Sequence, residues 1–177
     1  MKKIALFSAA VALVAAGAVY GAEAPKASWA EIVFDHQEKF TDIKDQMSPT
    51  DQGQQDILNK ISEYLVSESK HFVPEGCKLT MTFTDIDLAG DFEPWHGAQW
   101  DHIRMVKSIY PPHFKFGWTV ANAAGKVIKE GKEDILDLSF DSRVTINADD
   151  PLRFEKDILK DWMGGNLGNL KRLVAEN

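Results

Sequence analysis

Leu79-Thr80-Met81-Thr82-Phe83-Thr84 alternates apolar side chains with threonines. A period of two puts Leu79, Met81 and Phe83 on one face of an extended chain and the threonines on the other, so the run predicts a β-strand with one buried face. Upstream, Ala30, Ile32 and Phe34 alternate with Glu31 and Asp35 and predict an earlier strand of the same kind. Val33 interrupts its polar side, so this strand is expected to be covered on both faces. Between the two, residues 35–48 are polar and irregular, and Ser48-Pro49-Thr50-Asp51 then reads as a helix start. Ser48 is the expected cap, Pro49 the first helical residue, and Asp51 is placed to reach back to the cap. Ile57, Ile61 and Leu65 recur at one-turn spacing, with Leu58 and Tyr64 widening the stripe, which predicts an amphipathic helix of roughly 20 residues ended by Pro74 and Gly76. Strand, long helix, strand implies a right-handed crossover joining parallel strands.

Downstream, residues 87–101 form a loop rich in Gly, Pro, Trp and acids, and Ile103 to Val106 suit a short strand. Tyr110-Pro111-Pro112 breaks the pattern, because neither proline donates to a ladder. Phe114, Phe116, Trp118 and Val120 then begin a hairpin that turns at Asn122-Ala123-Ala124-Gly125 and returns over Val127 to Leu136. Gly117 within it suggests a bulge or a close backbone approach. Residues 137–149 carry no decisive period. Asp150-Pro151 opens a helix with Leu152, Leu159 and Trp162 at core spacing, expected to stop at Gly164-Gly165, and a short last helix carries Leu167, Leu170 and Leu173. The class expected is α+β: a single compact domain with a mixed four- to five-stranded sheet, β-α-β then hairpin, and packed helices.

The amino terminus reads as an address. Met1, Lys2 and Lys3 precede an uncharged, mostly apolar run from Ile4 to Tyr20, closed by Gly21, Ala22 and Ala24. Basic, apolar and small segments in that order describe a secretory signal. Residues 1–21 are therefore read as signal peptide and 22–177 as the mature domain. Cleavage after Gly21 is favoured; Ala22-Glu23-Ala24 offers a second site, but Pro25 obstructs it. The alternative, an uncleaved anchor, is weaker because the run is only about 17 residues long. No Cys lies near the cleavage region, so a lipid anchor is excluded. These features predict a Sec-exported periplasmic protein with no stable membrane anchor.

About 155 residues remain, enough for one domain with a sizeable core. The formal charge of −7 becomes −9 once Lys2 and Lys3 are removed, because residues 1–21 hold no acid. Such a chain repels phosphate backbones, which excludes nucleic acid as a partner. Cys77 is the only cysteine, so no disulfide forms within the chain. It is expected to be a buried small residue, or else a handle for an intermolecular bridge.

Thr84-Asp85-Ile86-Asp87-Leu88-Ala89-Gly90, Phe92-Glu93-Pro94-Trp95, Ile103-Arg104 and Ile109-Tyr110-Pro111-Pro112 follow one another in an order that resembles an exported proteobacterial family, the domain-of-unknown-function family numbered 3016. The likeness extends to Phe40-Thr41-Asp42 and to Asp150-Pro151-Leu152-Arg153-Phe154-Glu155-Lys156. The family commonly has Arg after Glu-Pro-Trp; His96 stands there in this chain, which argues against an essential cation at that point. The resemblance implies export and a shared small fold, and no reaction.

The chemistry-bearing residues gather at 85–104: Asp85, Asp87, Asp91, Glu93, Trp95, His96, Trp100, Asp101, His102 and Arg104. If the strand continues past Phe83, Asp85 and Asp87 share the face of Leu79, Met81 and Phe83, at the carboxyl end where open sheets place ligands. Calcium or magnesium wants such oxygen ligands, and Asp85, Asp87, Glu93 and His96 are the metal candidates. A calcium-loop template accepts Asp85, Asp87 and Gly90 but fails at Ala89 and His96. In the competing reading the strand ends at Thr84 and the acids cap turns and pair with Arg104, Lys107 or Arg153. Trp95 and Trp100 suit a sugar ring or a protein contact, or else close an edge of the core. His96 and His102 lack zinc spacing, and His36, His71 and His113 are scattered and read as surface residues. Nucleophile elbow, phosphate loop, dinucleotide fingerprint and H-E-x-x-H are all missing. Cys77 lies beside Glu75, which raises a thiol pKa. The expectation is a non-enzymatic envelope module binding a protein or small ligand through Asp85, Asp87, Asp91, Glu93, Trp95, Trp100 and Arg104, without a cofactor. The alternative is a divalent-metal-dependent hydrolase using Asp85 and Asp87, and a third reading is a structural or stress-related protein with no ligand.

Overall fold

The computed structural model describes residues 27–45, 49–97, 101–144 and 148–175. The stretch read as a signal peptide, its expected cleavage sites, Ser48 and Trp100 lie outside the described residues. Strand β1 (Ala30–Phe34) leads through a short 3-10 turn to helix α1 (Asp51–Ser69), and strand β2 (Lys78–Asp87) returns beside β1. Two short strands, β3 (Asp91–Phe92) and β4 (Arg104–Met105), pair with each other. The hairpin β5 (His113–Ala121) and β6 (Val127–Leu136) precedes helices α2 (Arg153–Leu167) and α3 (Leu170–Ala175). The main sheet runs β1-β2-β5-β6, with β1 and β2 parallel and the other pairs antiparallel. The α+β class with a mixed four-stranded sheet is what the periodicities predict.

One face of this sheet carries the core. Leu79, Met81, Phe83, Phe114, Phe116, Trp118 and Val120 are buried against Ile57, Leu58, Ile61 and Leu65 of α1 and Ile158, Leu159, Trp162 and Met163 of α2. Aromatic rings cross the seam edge to face, Trp162 lying 4.9 Å from Phe116 and 5.4 Å from Trp118. The opposite face is open. Val33 is 38 % exposed there, so β1 is not covered on both sides. Cys77 is free and buried. Among the described residues, no helix is long and apolar enough to cross a membrane.

Several local expectations are corrected by tertiary context. Thr50, not Ser48, caps α1: its hydroxyl accepts from Gly53 N–H at 3.2 Å, and Pro49 lies outside the helix. Gly164 and Gly165 do not end α2, because Trp162, Met163 and Leu167 on either side of them stay buried and offset about 1 kcal/mol per glycine. Gly117 is regularly paired. The close approach falls at Gly131, where a Cβ would stand 2.7 Å from Trp118 Nε1.

The most consequential correction concerns the acids of β2. That strand does continue past Phe83, but with one extra residue: Phe83 opposes Phe116, Asp85 opposes Lys115 and Ile86 opposes Phe114. Thr84 is the added residue, its hydroxyl donating to Lys115 O at 3.3 Å. A bulge of this kind shifts the inward-outward alternation by one. Ile86 therefore completes the core with no exposure, and Asp85 and Asp87 turn to the face opposite Leu79, Met81 and Phe83. Unbroken alternation would make Ile86 a surface residue of negligible energetic weight. Ile86→Ala should instead cost about 2–5 kcal/mol in urea unfolding, as core truncations do, and a loss under about 0.5 kcal/mol would contradict the bulge.

Candidate functional site

The bulge and a single bridge build a pocket at the carboxyl end of β2. After its 3-10 turn the chain comes back alongside β2, and Asp42 pairs in parallel with Asp87. Asp42 N–H donates to Ile86 O at 3.1 Å, and Leu88 N–H donates to Asp42 O at 3.0 Å. Asp87 is in turn paired with His113, and His113 with Leu136. Paired residues share a sheet face, so Asp42, Asp87, His113 and Leu136 form a row across the end of the open face. With Thr41, Asp91 and Tyr110 they line a cavity of about 330 Å³, and Lys44 also borders it.

Each acid has a different fate. Asp85 is held by Thr41, whose N–H and hydroxyl donate to its two oxygens at 2.8 and 3.0 Å. Asp42 pairs with Arg104 at 2.9 Å, both side chains being largely buried at 14 % and 10 % exposure. Arg104 also donates to Gly90 O at 2.8 Å and Lys44 O at 2.9 Å, and its guanidinium lies 4.7 Å from the Phe92 ring centre. Asp91 accepts from Phe92 N–H at 2.7 Å and is exposed at the rim. Glu93 is buried away from the cavity: Lys107 donates to both its oxygens at 2.7 Å, Tyr110 OH donates at 2.9 Å, and His96 Nε2 lies at 2.8 Å. The bond from Lys107 holds the Glu93 carboxyl below the usual carboxylate range. Trp95 is 68 % exposed beside His96 and does not line the cavity.

Asp87 is the exception, since its carboxylate takes no hydrogen bond from a described residue. Partial burial, with Asp42 and Asp85 of like sign nearby, pushes its pKa up to about 6, against the pull of Arg104 and His113. His113 is in contact with Asp134 and is only partly exposed. Beneath the adjoining loop, Glu155 is fully buried; its Oε1 accepts from Ala89 N–H at 2.8 Å, while Oε2 has no partner. Burial holds that carboxyl above the usual range.

The structure places Asp85, Asp87, Asp91 and Arg104 at the corner of the sheet where the cavity lies, and separates Glu93, His96 and Trp95 from it. Thr41, Asp42, Tyr110 and His113 were missed as site residues. The signal for the first two was the Phe40-Thr41-Asp42 likeness, and for His113 its position opposite Asp87 in the hairpin. Among the described residues no three His, Cys, Asp or Glu side chains converge as metal ligands.

These features define a two-layer α+β domain with an acidic pocket at the end of its sheet. The chain belongs to the family described as "Protein of unknown function (DUF3016)", which matches residues 28–165. No curated protein and no solved structure matches the chain.

Two measurements check this geometry. Arg104→Ala strands Asp42 and two carbonyls and should cost about 3–5 kcal/mol in denaturant unfolding. Asp87 gives a pH signature. A carboxyl raised from 3.8 to about 6 on folding favours the fold in its protonated form, an advantage complete below the lower value and lost as pH climbs through the upper. Across that window the melting temperature of Asp87→Asn should rise relative to wild type and level off above it. A difference that stays flat across the window would contradict the assigned environment.

Proposed function

We propose that this chain is an exported, non-enzymatic binding module of the bacterial cell envelope, released into the periplasm by removal of residues 1–21. Its pocket takes a cationic amine, carried by a small molecule or by a protein side chain. The observation that carries this reading is Asp87: a half-buried carboxylate without a hydrogen-bond donor, set between Asp42 and His113 at the floor of a cavity. A donor of positive charge offsets both its desolvation and the repulsion from Asp42 and Asp85. The acidic composition acts in the same direction, drawing cations toward the domain. The hydrolase reading has less support, because Asp85 already accepts from Thr41 and, among the described residues, no three His, Cys, Asp or Glu side chains group as ligands.

Isothermal titration of the chelator-stripped protein separates the readings. Spermidine, a probe for amines, should bind, and Asp87→Asn should weaken it about tenfold or more, the weight of one charge-assisted hydrogen bond. Binding of calcium, magnesium, manganese or zinc with no response to spermidine would favour the hydrolase. Silence with every probe would overturn the pocket as a binding site.

A further inference from the structure

Among the described residues strand β6 is the longest open edge: it spans 10 residues at the end of the sheet, and β5 is its one strand partner there. Along Val127 to Leu136 no other described residue bonds the backbone groups that point away from β5. An edge of this length is a template for another strand unless proline, a bulge or repelling charge blocks it. There is no proline in β6, and its irregularity lies at the Val127 end, opposite Val120 and Ala121. What remains is charge: Asp134 is taken up by its contact with His113, which leaves the order Lys129-Glu130-Gly131-Lys132-Glu133.

That order is complementary to its own reversal. We propose that two copies of this chain associate edge to edge through β6, antiparallel about a two-fold axis at Gly131, to form one continuous eight-stranded sheet. In this register Lys129 faces Glu133 of the second copy and Glu130 faces Lys132 of the second copy, each pair occurring twice by symmetry. Neighbouring registers fail. Moving the axis by half a residue is excluded, because it sets an open-face residue against a helix-face residue, whereas paired residues share a face. Moving it by a whole residue sets Glu130 or Lys132 against itself. This self-complementarity favours a second copy of the chain as the occupant of the edge.

The two faces of β6 contribute differently. On the helix-covered face Glu133 accepts from Trp118 Nε1 at 2.8 Å, and Lys129 lies over the Trp118 ring while donating to Asn166 O. These side chains are held in place before any partner arrives. On the open face Glu130 and Lys132 are exposed and make no ion pair with a described residue. They are the pair that a second copy would satisfy. At the axis Gly131 has no side chain to oppose its own copy, and the Trp118 ring excludes any larger residue there.

The test uses the two exposed charges, whose replacement leaves the core untouched. Sedimentation velocity over a concentration series should show wild type in reversible monomer–dimer exchange. Glu130→Lys alone, and Lys132→Glu alone, each sets like charges opposite one another twice and should weaken self-association about tenfold or more. An equimolar mixture of the two variants should recover wild-type association, because in the mixed dimer Lys at 130 meets Glu at 132 in one pair and the native Lys132 meets the native Glu130 in the other. Circular dichroism confirms that each variant is folded. A wild type that stays monomeric throughout, single variants that associate as wild type does, or a mixture that fails to recover would each overturn the β6 interface.

Discussion

The extra residue at Thr84 is the constraint on which the arrangement turns. A β-strand has only two faces, and β2 must meet two demands that conflict: Phe83 and Ile86 both belong inside, yet they are three residues apart. Regular alternation would send one of them into water, or else bury Asp85 or Asp87 without compensation, at a cost of several kcal/mol per charge. The bulge removes the conflict by setting Thr84 and Asp85 against a single partner, Lys115. Apolar packing against Phe114 then continues to the end of the strand, and two carboxylates emerge together on the open face.

Gathering acids at one corner needs compensation, and three devices supply it. Arg104 threads under the loop and bonds Asp42 and two carbonyls. Lys107, Tyr110 and His96 enclose Glu93 on the far side. Glu155, from α2, takes the Ala89 N–H from below, so the loop is tied to the helix layer as well as to the sheet. Buried ion pairs of this sort add little net stability compared with apolar replacements, but breaking one is costly, so they hold a backbone path in place. Gly90 belongs to the same device: its φ of 85° suits glycine, and a Cβ would stand 2.9 Å from Met105 O. These bonds anchor the described ends of the loop beside a site in which, among the described residues, Asp87 has no hydrogen-bond donor.

The sheet presents two distinct opportunities for recognition because its layers are unequal. Helices cover one face only, leaving the other available at its carboxyl corner, where the pocket lies. The order of strands leaves β6 as a long terminal edge on the side of the sheet away from β1. A ligand in the pocket and a second copy on the edge would occupy separate surfaces, although Leu136 of β6 reaches the pocket rim. The chemistry differs as well. The pocket offers a desolvated charge without a partner, whereas the edge offers backbone hydrogen bonds with register set by alternating charge.

Local patterns were enough for most of the architecture. The Leu79 to Thr84 alternation, the Ile57-Ile61-Leu65 stripe and the Phe114 to Val120 hairpin are each written in short-range periodicity, because burial of one face imposes that period directly on the chain. Element ends were less legible: Thr50 replaced Ser48 as cap, and α2 ran through two glycines, since packing of flanking residues outweighs a local preference. The site was half legible. A cluster of acids is visible in one dimension, but which of them are neutralised depends on cations from distant segments, as with Arg104 on Asp42. The facing of Asp85 and Asp87 depends on a bulge whose trace in the residue order is the three-residue step from Phe83 to Ile86, and whose place is set by the pairing of β2 with β5. By itself the sequence determined the elements and the acidic character of the 85–104 region; only the tertiary structure decided which acids share a cavity, because sheet register and long-range ion pairing are properties of segments brought together and not of any one of them.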